Sequence, residues 1–499
     1  MKDHSVDLKK RTLKNSLFSL LGFLWPLLLL FFSIPYFIYK LGNEKYGIWV
    51  LVMSTVGAMG VLNFGLGDTI IKFVSEYSAK KDVKMVNRII GNSFFIYSII
   101  SAFAVVAGFF LLPTLTGFIG IKRQHSDLAI FIMRVAVVGF AINLFIMNAL
   151  AIFKALQRYD LSSNLTIAIT TMRIFGMMVL LYLGFGLKGM VFAYIGSLIL
   201  GFILIYIFLR KNVPDIRIKL SFEIEIMRKI VGFSFYSFLI NIASIIRHNA
   251  GNIIVGRYLG ASYVPYFSVP FQISSQVLNS IGSLTTVLFP LFSSLKGENN
   301  MDKTKSVFVG ASKLTAIVGF GIGTFLFLYS RTILNIWISP EFASVADLPF
   351  RILIISFLFA LTAAVSYFFL MGSGRVKITA LIQGLSTLLI LFLGLILVPE
   401  KGIVGISIAY AVPTAALIIY VYFAAKNLWT GDWLGQVFRI YSRSVISLFL
   451  ATVLFVNFGR AKISTIAHLS LFALLFGLIL LFFNFLIDRD FFWKYIRTN

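Results

Sequence analysis

The sequence contains no cysteine, few acidic residues and few charged residues of any kind. Its 499 residues include 44 Lys and Arg but 19 Asp and Glu, and 13% are charged, whereas a soluble domain carries about 25%. Without cysteine, the chain has no disulfides, thiol catalysis or cysteine metal sites. The four histidines are scattered, and no glycine-rich loop followed by Lys-Ser or Lys-Thr is present. We therefore expect no metal, no cofactor and no ATPase domain.

Long apolar runs fill the chain instead, since 59% of the residues are hydrophobic. A run of about 18 or more apolar residues is long enough to cross a bilayer as a helix. Such runs predict fourteen spans, at about 16–39, 46–66, 89–112, 128–153, 161–185, 187–209, 230–256, 262–292, 307–330, 348–371, 378–398, 403–425, 438–457 and 464–487. The fold class is therefore an all-α polytopic membrane protein, and the loops are too short to hold a soluble domain.

The basic residues are distributed unevenly between the two sides of these spans. The termini and the loops on their side carry 30 of the 44 Lys and Arg, the opposite side carries 11, and three lie inside spans. By the positive-inside rule both termini are cytoplasmic. The net charge of +25 therefore reflects topology in a phospholipid bilayer, and we expect no nucleic-acid partner.

An internal repeat relates the two halves of the chain. A shift of 217 residues places Arg134 on Arg351, Phe140 on Phe357 and Arg158 on Arg375. A series at one offset indicates a duplicated six-helix unit. We predict an N-lobe at 1–210, a cytoplasmic linker at 211–229, a C-lobe at 230–426, and two further helices with a cytoplasmic tail at 427–499.

Positive charge lies inside the predicted spans, whereas no Asp or Glu needs to lie in the middle of one. Arg173, Arg247 and His248 fall deep in the fifth and seventh spans, and Arg134 and Arg351 enter from outer helix ends. Arginine in hydrocarbon is costly, so such residues should face a wet cavity. For the outer pair, snorkelling to the interface is an equally good explanation.

Amide and hydroxyl side chains form a stripe on the seventh span and another on the eighth. The stripes have helical spacing and consist of Ser234, Ser237, Asn241, Ser244, His248 and Asn252, and of Gln272, Gln276, Asn279 and Ser283. A hydrophilic cavity that binds sugar would need such groups. Polar residues also join membrane helices to each other, and this packing role is the alternative.

Four segments together resemble a known family. They are LGNEKYGIWVLV from Leu41, FGLGDTIIKFVSEY from Phe64, FKALQRYDL from Phe153 and GNIIVGRYLGASYVPYFSVPFQI from Gly251. They are similar to the polysaccharide transporter family, Wzx-like flippases of the multidrug/oligosaccharidyl-lipid/polysaccharide (MOP) exporter superfamily. The resemblance covers the whole chain and implies two lobes around a cavity lined by helices 1, 2, 7 and 8. Many relatives have an acidic residue near Asn252, so ion coupling through this position is in doubt.

This resemblance implies a non-enzymatic flippase in the bacterial cytoplasmic membrane. Its substrate would be an undecaprenyl-pyrophosphate-linked oligosaccharide repeat unit, with polysaccharide polymerase machinery as a candidate partner. Arg173, Arg247 and His248 would receive the pyrophosphate, because a guanidinium matches phosphate oxygens. The alternatives are a peptidoglycan-precursor flippase and a multidrug exporter. A polymerase or glycosyltransferase is disfavoured because the outer loops are short.

Overall fold

The computed structural model describes residues 2–111, 113–285, 288–298, 300–429, 431–458 and 465–489, with side chains from Trp25 onward except at 113, at some positions between 232 and 290, and at 457–458. These residues form fifteen α-helices and no β-strand. The helices are α1 (Lys2–Ala58), α2 (Leu66–Ala79), α3 (Val83–Leu111), α4 (Ser126–Ala155), α5 (Tyr159–Tyr182), α6 (Gly186–Asn212), α7 (Ile224–Leu259), α8 (Val264–Thr285), α9 (Leu288–Gly297), α10 (Met301–Trp337), α11 (Pro340–Gly372), α12 (Val376–Ala415), α13 (Ile419–Leu428), α14 (Trp433–Phe458) and α15 (Ile466–Ile487). The predicted all-α class is confirmed.

Within the described residues, ten helical stretches are long and apolar enough to span a membrane. A helix suits this environment because it satisfies its backbone hydrogen bonds internally. Two of the stretches, Trp25–Asn63 and Val376–Leu428, are broken at Gly42 (φ 74°) and Gly402 (φ 58°), so each covers two predicted spans. α7 covers the predicted span at 230–256, whereas α8 and the start of α9 both fall within the single span predicted at 262–292. The count of fourteen and the side of the termini stay predictions.

The short helix α2 does not correspond to a predicted span. A 3₁₀ turn at Met59–Asn63 and left-handed residues at Phe64 and Gly65 separate it from α1. One face of α2 is buried through residues such as Ile70 and Val74, whereas Lys72 and Glu76 are exposed. This amphipathic pattern is typical of a helix that lies at the interface of a membrane.

The backbone supports the internal repeat through its left-handed residues. Positive φ occurs at Gly42 and Gly260, at Gln157 and Gly374, and at Gly184 and Gly402, which are pairs 217 or 218 residues apart. The turns after α4 and α11 also share a hydrogen bond, from Arg158 N to Phe153 O and from Arg375 N to Leu370 O. The two halves therefore break and restart their helices at equivalent places.

The chain forms two compact units, Met1–Pro265 and Tyr266–Asn499. In the first unit, glycines let helices approach closely: Tyr194 of α6 lies against Gly139 of α4, and Ile169 of α5 against Gly201 of α6. In the second unit, aromatic residues fill the core and connect α10 to α14 and α15. The predicted lobe boundaries stay a prediction.

The segment between α6 and α7 is bound to the start of α3. The Asn87 side chain donates to Asp215 O at 2.9 Å and accepts from Arg217 N at 2.8 Å. The Arg88 guanidinium binds both carboxylate oxygens of Glu223. The linker predicted at 211–229 is therefore tethered to α3 within the first unit.

Candidate functional site

Helix α1 lies beside two other helices of the first unit, with Gly42 as the dividing point. Before the break, Trp25 Nε1 donates to Thr171 Oγ1 of α5 at 2.8 Å, and the Tyr36 hydroxyl donates to Met178 O at 3.1 Å. After the break, α1 packs on α7. α1 therefore holds α5, which carries Arg173, and α7, which carries Arg247 and His248, in one unit.

The contact between α1 and α7 buries part of the polar stripe on α7. Asn252 Nδ2 donates to Ser54 Oγ at 2.9 Å, and both residues are buried. Asn249 lies against Gly57, where its Oδ1 would be 2.8 Å from an added Cβ. These contacts favour a packing role for Asn252; its predicted binding role remains untested.

Another part of the stripe is exposed. Asn241, Ser244 and His248 are exposed at spacings of three and four residues, so they share one face of α7. Arg247 beside them is half-buried, with its Nε atom buried. Polar and basic groups are costly against lipid, so this face is suited to a hydrated surface or a polar ligand. The side chains of Ser234 and Ser237 lie outside those described.

Arg173 lies half-buried on α5 and interacts electrostatically with Tyr194 of α6. The Tyr194 ring is held against Gly139 of α4, so three helices position the arginine. Within the described part of the chain, no carboxylate forms an ion pair with Arg173. An arginine without a carboxylate partner is suited to bind an anion.

The repeat-equivalent pair Arg134 and Arg351 have different surroundings. Arg134 is exposed, with its guanidinium 5.8 Å from the centre of the Phe109 ring. Arg351 Nε donates to Asp347 Oδ1 at 3.0 Å and to Ser330 Oγ at 2.9 Å. Arg134 therefore has the geometry of a snorkelling residue, and Arg351 that of an internal ion pair; binding of substrate by either stays a prediction.

The amides of α8 belong to the second unit. Gln272 and Gln276 are half-buried and Asn279 is exposed. A different face of the helix is aromatic, with the Phe271 ring 5.0 Å from the Tyr410 ring. This packing leaves the amides on the face that does not contribute to the aromatic core. The Ser283 side chain lies outside those described.

The buried acid that the sequence did not indicate is Asp488, which follows α15 and is 5% exposed. Its two carboxylate oxygens bind Lys313 of α10 and Arg443 of α14. Because it binds two cations, this carboxylate holds three helices together. Asp68, the acid nearest to a span, is exposed, as expected for a solvated helix end. No group of three His, Asp or Glu suited to a metal occurs in the described part of the chain.

Solved structures define the class of protein. The lipid II flippase MurJ in an inward closed conformation aligns with TM-score 0.72 and 17% identity, covering 95% of this chain and 99% of that one. An inward-facing multidrug resistance MATE family transporter of the MOP superfamily aligns with TM-score 0.68 and 18% identity, covering 83% and 94%. The fold is therefore that of MOP-superfamily membrane transporters.

Sequence relatives define the family. A Shigella flexneri protein named provisionally as an O-antigen transporter is 23% identical over 414 residues, which cover 80% of this chain and 94% of that protein. The family model described as "Polysaccharide biosynthesis protein" matches residues 41–347, more than half of the chain. The chain belongs to this family. It is a multi-pass bacterial membrane transporter and not an enzyme, which confirms the family predicted from the four sequence segments.

Proposed function

We propose that this protein flips undecaprenyl-pyrophosphate-linked oligosaccharide repeat units from the inner to the outer leaflet of the cytoplasmic membrane by alternating access. The observation that carries the proposal is the exposed polar face of α7, Asn241, Ser244 and His248, inside an apolar helical protein of this family. No bond is made or broken. The name of the Shigella flexneri relative, with its O-antigen substrate, supports the substrate class.

The chemical roles follow from the residue types. Arg173, Arg247 and His248 would bind the anionic pyrophosphate, because guanidinium forms paired hydrogen bonds with phosphate oxygens. Amides bind sugar hydroxyls as both donors and acceptors. Asn241 on α7 and Gln272, Gln276 and Asn279 on α8 are the candidates for this part. The lipid tail would remain in the bilayer.

Two other transporters remain as alternatives. A peptidoglycan-precursor flippase would use the same anionic headgroup, and the MurJ fold covers 95% of the chain. A multidrug exporter of cations is less well supported. The acid buried in the described part of the chain, Asp488, is already paired with Lys313 and Arg443, so it is unsuited to attract a cationic drug.

A substrate competition assay tests the proposal. Purified protein in vesicles is given a fluorescent undecaprenyl-pyrophosphate oligosaccharide, and its appearance in the opposite leaflet is measured. We expect unlabelled lipid-linked oligosaccharide to compete, and lipid-linked peptidoglycan precursor and cationic dyes to compete weakly. Stronger competition by the peptidoglycan precursor would replace the proposal with the first alternative, and stronger competition by the dyes with the second.

Membrane potential is the expected energy source. The membrane potential favours the movement of a pyrophosphate with about two negative charges from the negative inside to the outside. The free energy falls by about 2.3 kcal/mol per charge per 100 mV. We expect flipping to fall when valinomycin and matched K⁺ clamp the potential to zero while a pH or Na⁺ gradient is kept. Undiminished flipping under this clamp would refute the expectation.

A further inference from the structure

A polar cleft lies in the second unit, where α10 ends and α11 begins. Its volume is about 320 Å³, and its lining residues are Arg331, Thr332, Asn335, Pro340 and Ala343. The distribution of basic residues assigns this end of the unit to the outer side of the membrane. None of these residues contributes to the site proposed above, so the cleft is a separate feature.

The cleft carries one positive charge that is not neutralised. Arg331 is exposed and forms no ion pair within the described part of the chain, and Asn335 is exposed one helical turn further along α10. The nearby acid, Asp347, is bound to Arg351 and to Ser330. Arg331 can therefore offer its guanidinium, together with the Asn335 amide and the Thr332 hydroxyl, to an anionic ligand.

The start of α11 adds little to this charge. The Ser339 hydroxyl accepts from Phe342 N at 3.1 Å and so caps the helix, and Pro340 has no N–H group. The Ala343 amide donates to Ser339 O at 3.0 Å. Helix-end donors are thus already satisfied, and the affinity of the cleft for an anion depends on Arg331.

The first unit has no charged residue at the two positions equivalent to Arg331 and Asn335. The 217-residue shift places Thr114 at Arg331 and Phe118 at Asn335. There the Phe118 ring covers Arg257, whose guanidinium carbon is 3.9 Å from the ring centre, and Lys122 pairs with Glu44 at 2.8 Å. The polar lining at Arg331 and Asn335 is therefore not inherited from the repeat and belongs to the second unit alone.

We propose that the Arg331 cleft binds a phosphate-bearing headgroup in the outer leaflet. Guanidinium, amide and hydroxyl donors within two turns of α10 match the oxygens of a phosphate. Small-molecule pockets span about 300–1,000 Å³, so this cleft fits a headgroup and not a whole oligosaccharide. The inference rests on the proposed function, in which it gives the pyrophosphate a binding place after translocation.

Cysteine protection tests this site, because the chain has no cysteine of its own. Thr332→Cys in phosphatidylcholine nanodiscs is labelled with a neutral impermeant maleimide, with and without inorganic pyrophosphate. We expect pyrophosphate to slow labelling at least fivefold, Arg331→Gln to abolish this protection and Arg331→Lys to keep part of it. Thr114→Cys, at the repeat-equivalent position of Arg331, serves as the matched control and should show no protection.

A second arm separates the two sources of phosphate. If labelling is slow in phosphatidylglycerol nanodiscs and Arg331→Gln restores it, a phospholipid headgroup occupies the cleft; if pyrophosphate alone protects, the substrate headgroup does. Either result supports a phosphate site. Equal protection in the Arg331→Gln variant, or no protection in either arm, would overturn it.

The flipping assay keeps this inference distinct from the proposed function. If the protein flips its substrate but pyrophosphate does not protect Thr332→Cys from labelling, the phosphate site is wrong and the proposed flippase function is unaffected. Protection without flipping of the lipid-linked oligosaccharide would reject the flippase and leave a phosphate site.

Discussion

Arg134 and Arg351 occupy equivalent positions in the two repeats, and their differences show what duplication preserves. Both guanidinium groups lie over an aromatic ring, at 5.8 Å from Phe109 and 5.5 Å from Phe327. Only Arg351 has an ion pair among the described residues, with Asp347.

The sequence explains this difference. The 217-residue shift places Ile130 where the second repeat has Asp347, and Pro113 where it has Ser330. Both repeats therefore have an aromatic ring beside this arginine, whereas only the second has a carboxylate partner for it. Equivalent arginines in a duplicated fold thus need not share a role, and an arginine with a built-in carboxylate is expected to stabilise the fold before it binds a substrate.

The largest effect on stability is expected from Asp347→Ala. Arg351 would remain half-buried without its carboxylate, and the free energy of unfolding should fall by about 1–3 kcal/mol. Thermal unfolding in detergent measures the change. Arg134→Gln is the matched control in the first repeat and should change stability little, because Arg134 is exposed. A larger loss in Arg134→Gln than in Asp347→Ala would contradict the comparison.

A second prediction compares two asparagines on α7. Asn252→Leu removes the buried hydrogen bond to Ser54 and should lower the free energy of unfolding by about 1 kcal/mol. Asn241→Leu, on the exposed face, should leave stability unchanged and reduce flipping. Unfolding and flipping are measured on both variants. If Asn252→Leu impaired flipping while leaving stability intact, its role would be substrate binding and not packing.

A smaller change, a gain in stability, is expected when the ion pair of the second repeat is introduced into the first repeat. Ile130→Asp places a carboxylate four residues before Arg134, as Asp347 stands before Arg351. Such an i, i+4 pair is worth about 0.2–0.5 kcal/mol on a helix. The test is a small rise in thermal stability that disappears in Ile130→Asp combined with Arg134→Gln. An equal rise in the double variant would show that the ion pair is not its cause.

The smallest effect concerns the predicted linker between α6 and α7. Hydrogen bonds and attraction from Arg88 lower the pKa of Glu223 below its ordinary value of 4.5. The contact is therefore fully formed above pH 4.5 and is lost as pH falls through the lowered pKa. Hydrogen exchange at residues 213–223 should increase only at such acidic pH in the native protein. In the Glu223→Gln variant, hydrogen exchange of this segment should already be faster at neutral pH, and acid should cause no further increase. Unchanged exchange at neutral pH would show that the contact between Glu223 and Arg88 does not hold the linker in place.

The all-α membrane fold was predictable because apolar run length is a local property of a membrane sequence. The exact ends of the helices could not be predicted. α10 covers Met301–Trp337, whereas the apolar run in this part of the sequence predicted a span at 307–330. Helices continue beyond the hydrocarbon, where hydropathy falls but backbone hydrogen bonding persists. α2 was missed because it is too short and too charged to read as a span.

The candidate site was only partly predictable. Helical spacing placed Asn252 on one stripe with His248, but spacing cannot reveal that Ser54, almost 200 residues earlier, packs on that part of α7. The contacts of Asp488 with Lys313 and Arg443 likewise depend on tertiary packing. In contrast, the pairing of Asp347 with Arg351 follows i, i+4 spacing and was readable from the sequence.

The central claim is that Arg173 and Arg247 bind the pyrophosphate, and one flipping assay on matched arginine variants tests it most directly. A charge-assisted hydrogen bond is worth about 1.5–3 kcal/mol, so Arg173→Ala and Arg247→Ala should each reduce flipping by about tenfold or more while thermal stability is retained. Arginine-to-lysine variants should have intermediate flipping activity. Arg351→Ala should lower thermal stability more than it lowers flipping. Full flipping by both folded alanine variants would contradict the account.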